Sequence, residues 1–285
     1  MSFSKGPCEC TLCMTAAGND SWFSERYKPS VEPLLSRKNS AITDDVYRWW
    51  QSLQHERNPA NYTVVVKQLL KLFPDNKRYI RPRLDRCRTC AVVGNSGNLL
   101  GSHYGRLIDL HDFVLRMNRA PTKGFEEDVG AKTTHRIIYP ESAMDMENST
   151  HLVLAPFKTL DLQWLISAFT TKNITRTYTG VRASIQADKS KVMVLSPVFI
   201  KYVYESWLQK HGRYPSTGFL TLVFALHVCD EVNVYGFGAD RNGKWHHYFE
   251  KMVVNYNHTP HGGNYEYETV VQLSKKNKIQ MFKGF

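Results

Sequence analysis

The residues best suited to do chemistry lie near the carboxyl end. His246 and His247 stand side by side between Trp245 and Tyr248, and His261 follows in a glycine-containing loop, five residues before Glu266. Imidazole changes protonation near neutral pH, so such a group suits general acid–base catalysis or metal ligation. A lone histidine is most often a packing or surface residue, but three near glycines and followed by carboxylates point to a site. The histidines lack a helical HxxxH spacing and the chain contains no Asp-x-Asp, so the expected site works without a metal.

A second set of polar groups follows runs that read as strands. Ala91-Val92-Val93 breaks into Gly94-Asn95-Ser96-Gly97, and Phe113–Met117 ends in Asn118. The first reads as strand, tight turn and helix start, a place where open backbone N–H groups and two glycines would admit a phosphate. An ordinary Gly/Asn-rich loop explains the same residues. Ser216-Thr217-Gly218 precedes the apolar run Phe219 to Val228; either hydroxyl can cap that helix, and an anion at its positive end or plain capping accounts for them equally. Val232–Tyr235 is a further strand that ends in Gly236-Phe237-Gly238.

Elements of alternating type must carry these groups. Helices are expected from Thr43 to Leu53, Asn61 to Phe73, Asp161 to Phe169, Ser196 to about Gln209, and from Phe219 to Val228. Short apolar runs at Ile137–Tyr139, Leu152–Leu154 and Val192–Leu195 add strands, and polar groups again follow the first of them in Pro140-Glu141-Ser142. Such alternation predicts an α/β fold, a mostly parallel sheet with helices on both faces. Ligands of open α/β sheets bind at the carboxyl ends of strands, where Asn95 and Asn118 fall. Residues 1–40, polar and irregular, read as a stem tied down by disulfides, and residues 41–285 as the working domain.

Composition narrows the setting. With 285 residues the chain can bury a sizeable core, and no apolar run of about 18 residues is present to span a membrane. The opening MSFSKGPCEC lacks a signal-peptide core, which leaves a cytosolic protein or one whose membrane anchor precedes this sequence. Six cysteines include the pairs Cys10/Cys13 and Cys87/Cys90, too far apart for a usual zinc module. An even cysteine count together with five sequons, at Asn19, Asn61, Asn148, Asn173 and Asn257, favours disulfides and glycans in a secretory compartment. The net charge of +11 is spread along the chain without a basic block or nucleic-acid motif, so no nucleic-acid partner is expected; an anionic nucleotide or acidic sugar would suit the charge.

Four stretches together resemble the motifs of the vertebrate sialyltransferase family. Cys87–His135 resembles its long motif, GRYPSTGFLTLVFALHVCDEVNVYGFG its short one, His247-Tyr248-Phe249-Glu250 the third, and His261 with Glu266 the very short one. The wider match, through YRWW, VLRMN, YPES, HGRYPSTG and WHHY, is similar to the β-galactoside α-2,3 branch that acts on Galβ1-3GalNAc chains, nearer its type I than its type II, and it runs from Cys8 onward. The resemblance implies a single Rossmann-like domain in a metal-independent variant of the GT-A glycosyltransferase fold. It implies CMP-sialic acid as donor, no cofactor, Galβ1-3GalNAc-bearing glycoproteins or glycolipids as acceptors, and a Golgi-lumenal enzyme whose only membrane attachment is an N-terminal anchor.

By the same resemblance, His261 is the general base and His247 the phosphate-side partner. Donor contacts would come from Asn95, Ser96, Asn118, Ser142, Ser216, Thr217, Gly218, Gly238, Trp245 and His246, and acceptor contacts from Gln54, Tyr178 and Tyr214. The implied disulfides are Cys8–Cys13, Cys10–Cys87 and Cys90–Cys229. The loop between His247 and His261 is a few residues shorter than the family pattern, and Gly262-Gly263 replaces an acidic and a small residue. A catalytically silent secreted glycan- or nucleotide-binding protein of the same fold is the competing expectation; retention of both His247 and His261 speaks against it.

Overall fold

The computed structural model describes residues 8–15, 20–75, 85–250 and 261–284. Asn19, Asn257 and most of the loop between His247 and His261 lie outside the described residues. Seven strands, β1 (Thr89–Val93), β2 (Phe113–Met117), β3 (His135–Ile138), β4 (His151–Leu154), β5 (Val192–Val194), β6 (Glu231–Tyr235) and β7 (Gln280–Phe282), form one sheet in the order β5-β4-β3-β2-β1-β6-β7. Every pairing is parallel. Chain order runs outward from β1 to β5 and then returns to the other side of β1, so the sheet has its topological switch point between β1 and β6.

The helices expected from sequence form with slightly shifted ends: α2 (Asp44–Gln51), α3 (Tyr62–Leu72), α6 (Thr159–Ala168), α7 (Pro197–Tyr202) and α8 (Thr217–Val228), with α1 (Ser21–Arg26), the short α4 (Gly105–Asp109) and α5 (Glu126–Val129), and α9 (Gly263–Lys275) in addition. Their caps explain the boundaries. Asn61 accepts from the Val64 N–H, Ser196 from that of Val198 and Ser216 from that of Phe219, each satisfying a donor the helix itself cannot. α7 keeps its proline at the first turn and continues as a π-helical turn, Val203–Trp207, rather than running on to Gln209.

α8 is apolar on all sides because every side is covered. It packs on β1, β2, β3 and β6, and Leu220, Leu222, Phe224 and Leu226 are wholly buried, each contributing roughly 1.5–3 kcal/mol of transfer free energy. The segment before residue 40 is drawn into the same core. Phe23 of α1 packs edge-on against Trp207 at 5.9 Å, and Leu35 N–H donates to the Val194 carbonyl at 2.8 Å. The boundary expected at residue 40 therefore falls inside packed structure, because α1 and the chain through Leu35 cover α7 and the edge strand β5.

All six cysteines are in disulfides, Cys8–Cys13, Cys10–Cys87 and Cys90–Cys229, so the two CxxC pairs hold each other or their neighbours rather than a shared zinc. Cys90–Cys229 ties the start of β1 to the end of α8, at the opposite end of the strands from Asn95 and Asn118. Among the described residues no helix is long and apolar enough to cross a membrane.

Candidate active site

The carboxyl ends of β1, β2, β3 and β6 and the amino end of α8 enclose a cavity of about 280 Å³ at the switch point. Its floor exists because two strand ends touch. A Cβ on Gly94 would lie 2.2 Å from the Gly236 carbonyl, so glycine is the residue that lets the β1 and β6 turns meet. Three N–H groups of the turn after β1 are taken within the protein, Gly94 donating to Tyr235 O, Ser96 to Gly236 O and Gly97 to His246 O, and a single 3₁₀ turn, Gly97–Leu99, follows in place of the expected α-helix. What the turn offers a ligand is its side chain. The buried Oδ1 of Asn95 lacks a hydrogen-bond partner among the described residues, as does that of Asn118 at the end of β2. Asn118 sits at φ 56°, a left-handed conformation that asparagine tolerates better than most residues.

The remaining donor-side residues divide by what they already hold. Ser96, Thr217, Gly218, Gly238 and Trp245 line the cavity, with Trp245 edge-on to Tyr267 at 5.8 Å. The Ser96 hydroxyl donates to Gly238 O at 2.6 Å and so fastens the β1 turn to the β6 turn. Ser142 lies outside the lining: its hydroxyl accepts from Tyr139 N–H and donates to Tyr139 O, closing a 3₁₀ turn, and Tyr139 is the member of that turn that borders the cavity.

The histidines occupy three different environments. His246 places Nε2 3.0 Å from Asp240 Oδ2 and Nδ1 3.1 Å from His247 O. Both partners can only accept, an arrangement that favours the protonated ring, and the His247 carbonyl and the Asp240 carboxylate hold its pKa above the usual histidine value. Its ring rests on Gly97, where a Cβ would lie 1.9 Å from Cε1. His247 is more exposed, stacks on Phe249 and donates Nδ1–H to Glu250 at 3.0 Å.

His261 is largely enclosed. Its Nδ1 donates to the Tyr214 carbonyl at 3.0 Å, which leaves Nε2 as the lone-pair nitrogen of a ring that lines the cavity. Burial pushes its pKa below the usual histidine value, and the bond to Tyr214 offsets part of that. Gly212, at φ 75°, bridges to His261, and a Cβ there would strike the Gly262 nitrogen at 2.3 Å. Glu266, one turn into α9, is buried and accepts from both Ser216 N–H (2.7 Å) and Ser216 Oγ–H (2.5 Å), so the very segment that brings His261 also fixes the cap of α8. Burial raises the Glu266 pKa to about 7.

The three acceptor-side candidates stand outside the cavity lining in distinct settings. Tyr214 lies between Phe157 and His261, each ring centroid 5.0 Å away, and so borders the base. Gln54 accepts at Oε1 from Lys158 Nζ at 2.6 Å, next to that same Phe157. Tyr178 is 68% exposed, and its N–H donates to Glu141, near Tyr139. Tyr139, Tyr267 and the clamping role of Glu266 were missed by sequence reasoning; only the fixed interval from His261 hinted at Glu266. Of the sequons, Asn61, Asn148 and Asn173 are all exposed.

Two asparagines with partnerless amide oxygens, the amino end of α8 and three histidines thus line one cavity at the switch point of a doubly wound sheet, the place where such sheets bind their ligands. The sequence comparisons make this particular: residues 34–278 match the model of glycosyltransferase family 29, and the chain belongs to that family, the sialyltransferases. It is similar to CMP-N-acetylneuraminate-beta-galactosamide-alpha-2,3-sialyltransferase 1 of Gallus gallus (49% identity over 100% of this chain and 84% of that protein). The Homo sapiens protein of that name is 48% identical, over 98% of this chain and 83% of its own length. The type 2 protein of Rattus norvegicus is 46% identical, over 97% and 80%. A crystal structure of a mammalian sialyltransferase superimposes with a TM-score of 0.91 at 50% identity, covering 98% of this chain and 99% of that one. Another, in complex with Gal-beta-1-3GalNAc-ortho-nitrophenol, also gives 0.91, at 49% identity, over 98% and 100%.

Proposed function

We propose that this sialyltransferase moves sialic acid from CMP-sialic acid to the 3-hydroxyl of the terminal galactose in Galβ1-3GalNAc, with His261 as the general base. The observation that carries the reading is the His261 tautomer: with Nδ1–H committed to Tyr214 O, Nε2 is the nitrogen able to take a proton. In an inverting displacement the acceptor oxygen bonds to the anomeric carbon as its proton passes to Nε2. The bond from that carbon to the phosphate oxygen breaks with its electron pair, and CMP departs as an anion. The departing phosphate is received by hydrogen-bond donors, for which His247, Asn95, Asn118 and the amino end of α8 are the candidates. The names of the relatives and the disaccharide analogue bound to one of them support the donor, the linkage and the acceptor.

The reaction is proposed to need no metal, with positive charge beside the leaving group coming from the helix end and from His246, whose pKa is raised by the His247 carbonyl and Asp240. The Golgi lumen is the proposed compartment, in keeping with three disulfides. The test is transfer from CMP-sialic acid to a panel of Galβ1-3GalNAc, Galβ1-4GlcNAc and lactosyl acceptors, with and without a chelator. Transfer confined to the second acceptor class overturns the specificity, loss of transfer under chelation overturns metal independence, and CMP binding without transfer to any acceptor overturns the enzyme.

A further inference from the structure

Two arginines are buried side by side in the middle of the sheet, Arg116 on β2 and Arg136 on β3, 1% and 6% exposed and partners in the strand register. Neither pairs with a carboxylate among the described residues; Arg116 donates from Nε and Nη2 to backbone carbonyls and the Thr133 hydroxyl while its Nη1 has no partner among the described residues, and Arg136 donates from Nη1 to backbone carbonyls. Taking a guanidinium out of water without an ion partner is expensive, so a fold that keeps two of them needs what they hold. They hold different things. Arg116 donates to the carbonyls of Val129, Gly130 and Lys132, in the segment that leads into β3. Arg136 donates from Nη1 to Asn118 O at 2.8 Å and Ala120 O at 3.1 Å, across the left-handed turn at the end of β2. The next carbonyl of that turn, Pro121 O, is taken at 2.6 Å by the hydroxyl of Tyr248, the neighbour of His247.

We propose that Arg136 is a positioning residue for the nucleotide end of the site, acting through Asn118. Its guanidinium holds the left-handed turn through two backbone carbonyls and thereby presents the Asn118 amide, whose Oδ1 lacks a partner among the described residues, to the donor. Arg116, its neighbour in register, shapes the fold only. The inference rests on the proposed CMP-dependent function, since it takes the nucleotide to be the group that Asn118 meets.

The test uses CMP itself as probe, by calorimetry, together with donor and acceptor KM. Two charged hydrogen bonds to the turn are lost in Arg136→Met, and the expected result is a 10- to 100-fold weaker CMP affinity and a matching rise in donor KM, about ten-fold or more, with acceptor KM unchanged. Arg136→Lys, whose ammonium reaches one of the two carbonyls, falls between the wild type and Arg136→Met. In an Asn118→Ala background, Arg136→Met adds nothing further to the CMP dissociation constant, because the two act as one unit. Arg116→Met lowers the melting temperature and leaves CMP affinity as it was. If Arg136→Met does not fold, Arg136→Lys carries the same cycle. Unchanged CMP affinity in Arg136→Met or Arg136→Lys, effects that add to those of Asn118→Ala, or an equal loss in Arg116→Met would each overturn the proposal. Failure of the wild type to bind CMP would instead strike the functional reading on which it stands.

Discussion

Replacing Glu266 by glutamine should stabilise this protein at alkaline pH and leave it nearly unchanged in acid. The carboxyl is buried against Ser216, and burial raises its pKa from 4.5 to about 7. Because the folded state binds this proton more tightly than the unfolded chain, the group's contribution to stability is fully present below pH 4.5 and is lost as pH rises through 7. Integrating the two titrations gives a loss of roughly 2.5 kcal/mol in the wild type between pH 5 and pH 8. Glutamine cannot ionise, yet its carbonyl can accept from Ser216 N–H and its amide can donate to Ser216 Oγ, which keeps the α8 cap in place. The melting temperature of Glu266→Gln should therefore exceed that of the wild type by about 5 °C at pH 8 and match it at pH 5. Thermal unfolding followed by near-ultraviolet circular dichroism across that range measures the difference. A variant less stable than wild type at pH 8, or a difference that does not change with pH, would show that the ionised carboxylate is what the cap requires and would refute the reasoning.

Three further outcomes are expected. His261→Ala should lower kcat by about 10²- to 10⁴-fold while CMP affinity measured without turnover is kept, and a loss under tenfold would remove His261 as base. In the wild type, kcat should rise with pH through a value below the ordinary histidine 6.5 and then level off, since burial favours the neutral imidazole; an acid limb above 6.5 in the pH–rate profile would contradict that. Gly97→Ala places a methyl group 1.9 Å from the His246 ring and should displace that ring, raising donor KM with little change in acceptor KM. Cys90→Ala with Cys229→Ala opens a crosslink spanning 139 residues and should cost up to roughly 5 kcal/mol in the chain-entropy model, read as a lowered denaturation midpoint.

What the sequence determined by itself was the set of elements and the chemistry-bearing positions at their ends. Six of the seven strands and the alternation that makes the sheet parallel were legible, because buried parallel strands are continuous apolar runs and their ends are marked by Gly, Asn and Pro. β7 was not, since Gln280–Phe282 is short and only partly apolar, and neither was α9, whose first residues read as a glycine loop. The family motifs named Asn95, Asn118, Ser216, His247 and His261, all of which line one cavity.

Only the tertiary structure decided how those positions are used. Local pattern could not tell that the N–H groups of Gly94, Ser96 and Gly97 are taken by the carbonyls of Tyr235, Gly236 and His246, because those partners lie some 140 residues away. It could not reveal that the Ser142 hydroxyl is engaged by the Tyr139 backbone, that Glu266 grips the cap of α8 or that Arg136 donates to the Asn118 carbonyl. Residue type and spacing fix which groups a strand end can offer. Which of their donors and acceptors remain for a substrate depends on what the rest of the chain, folded against them, has already taken.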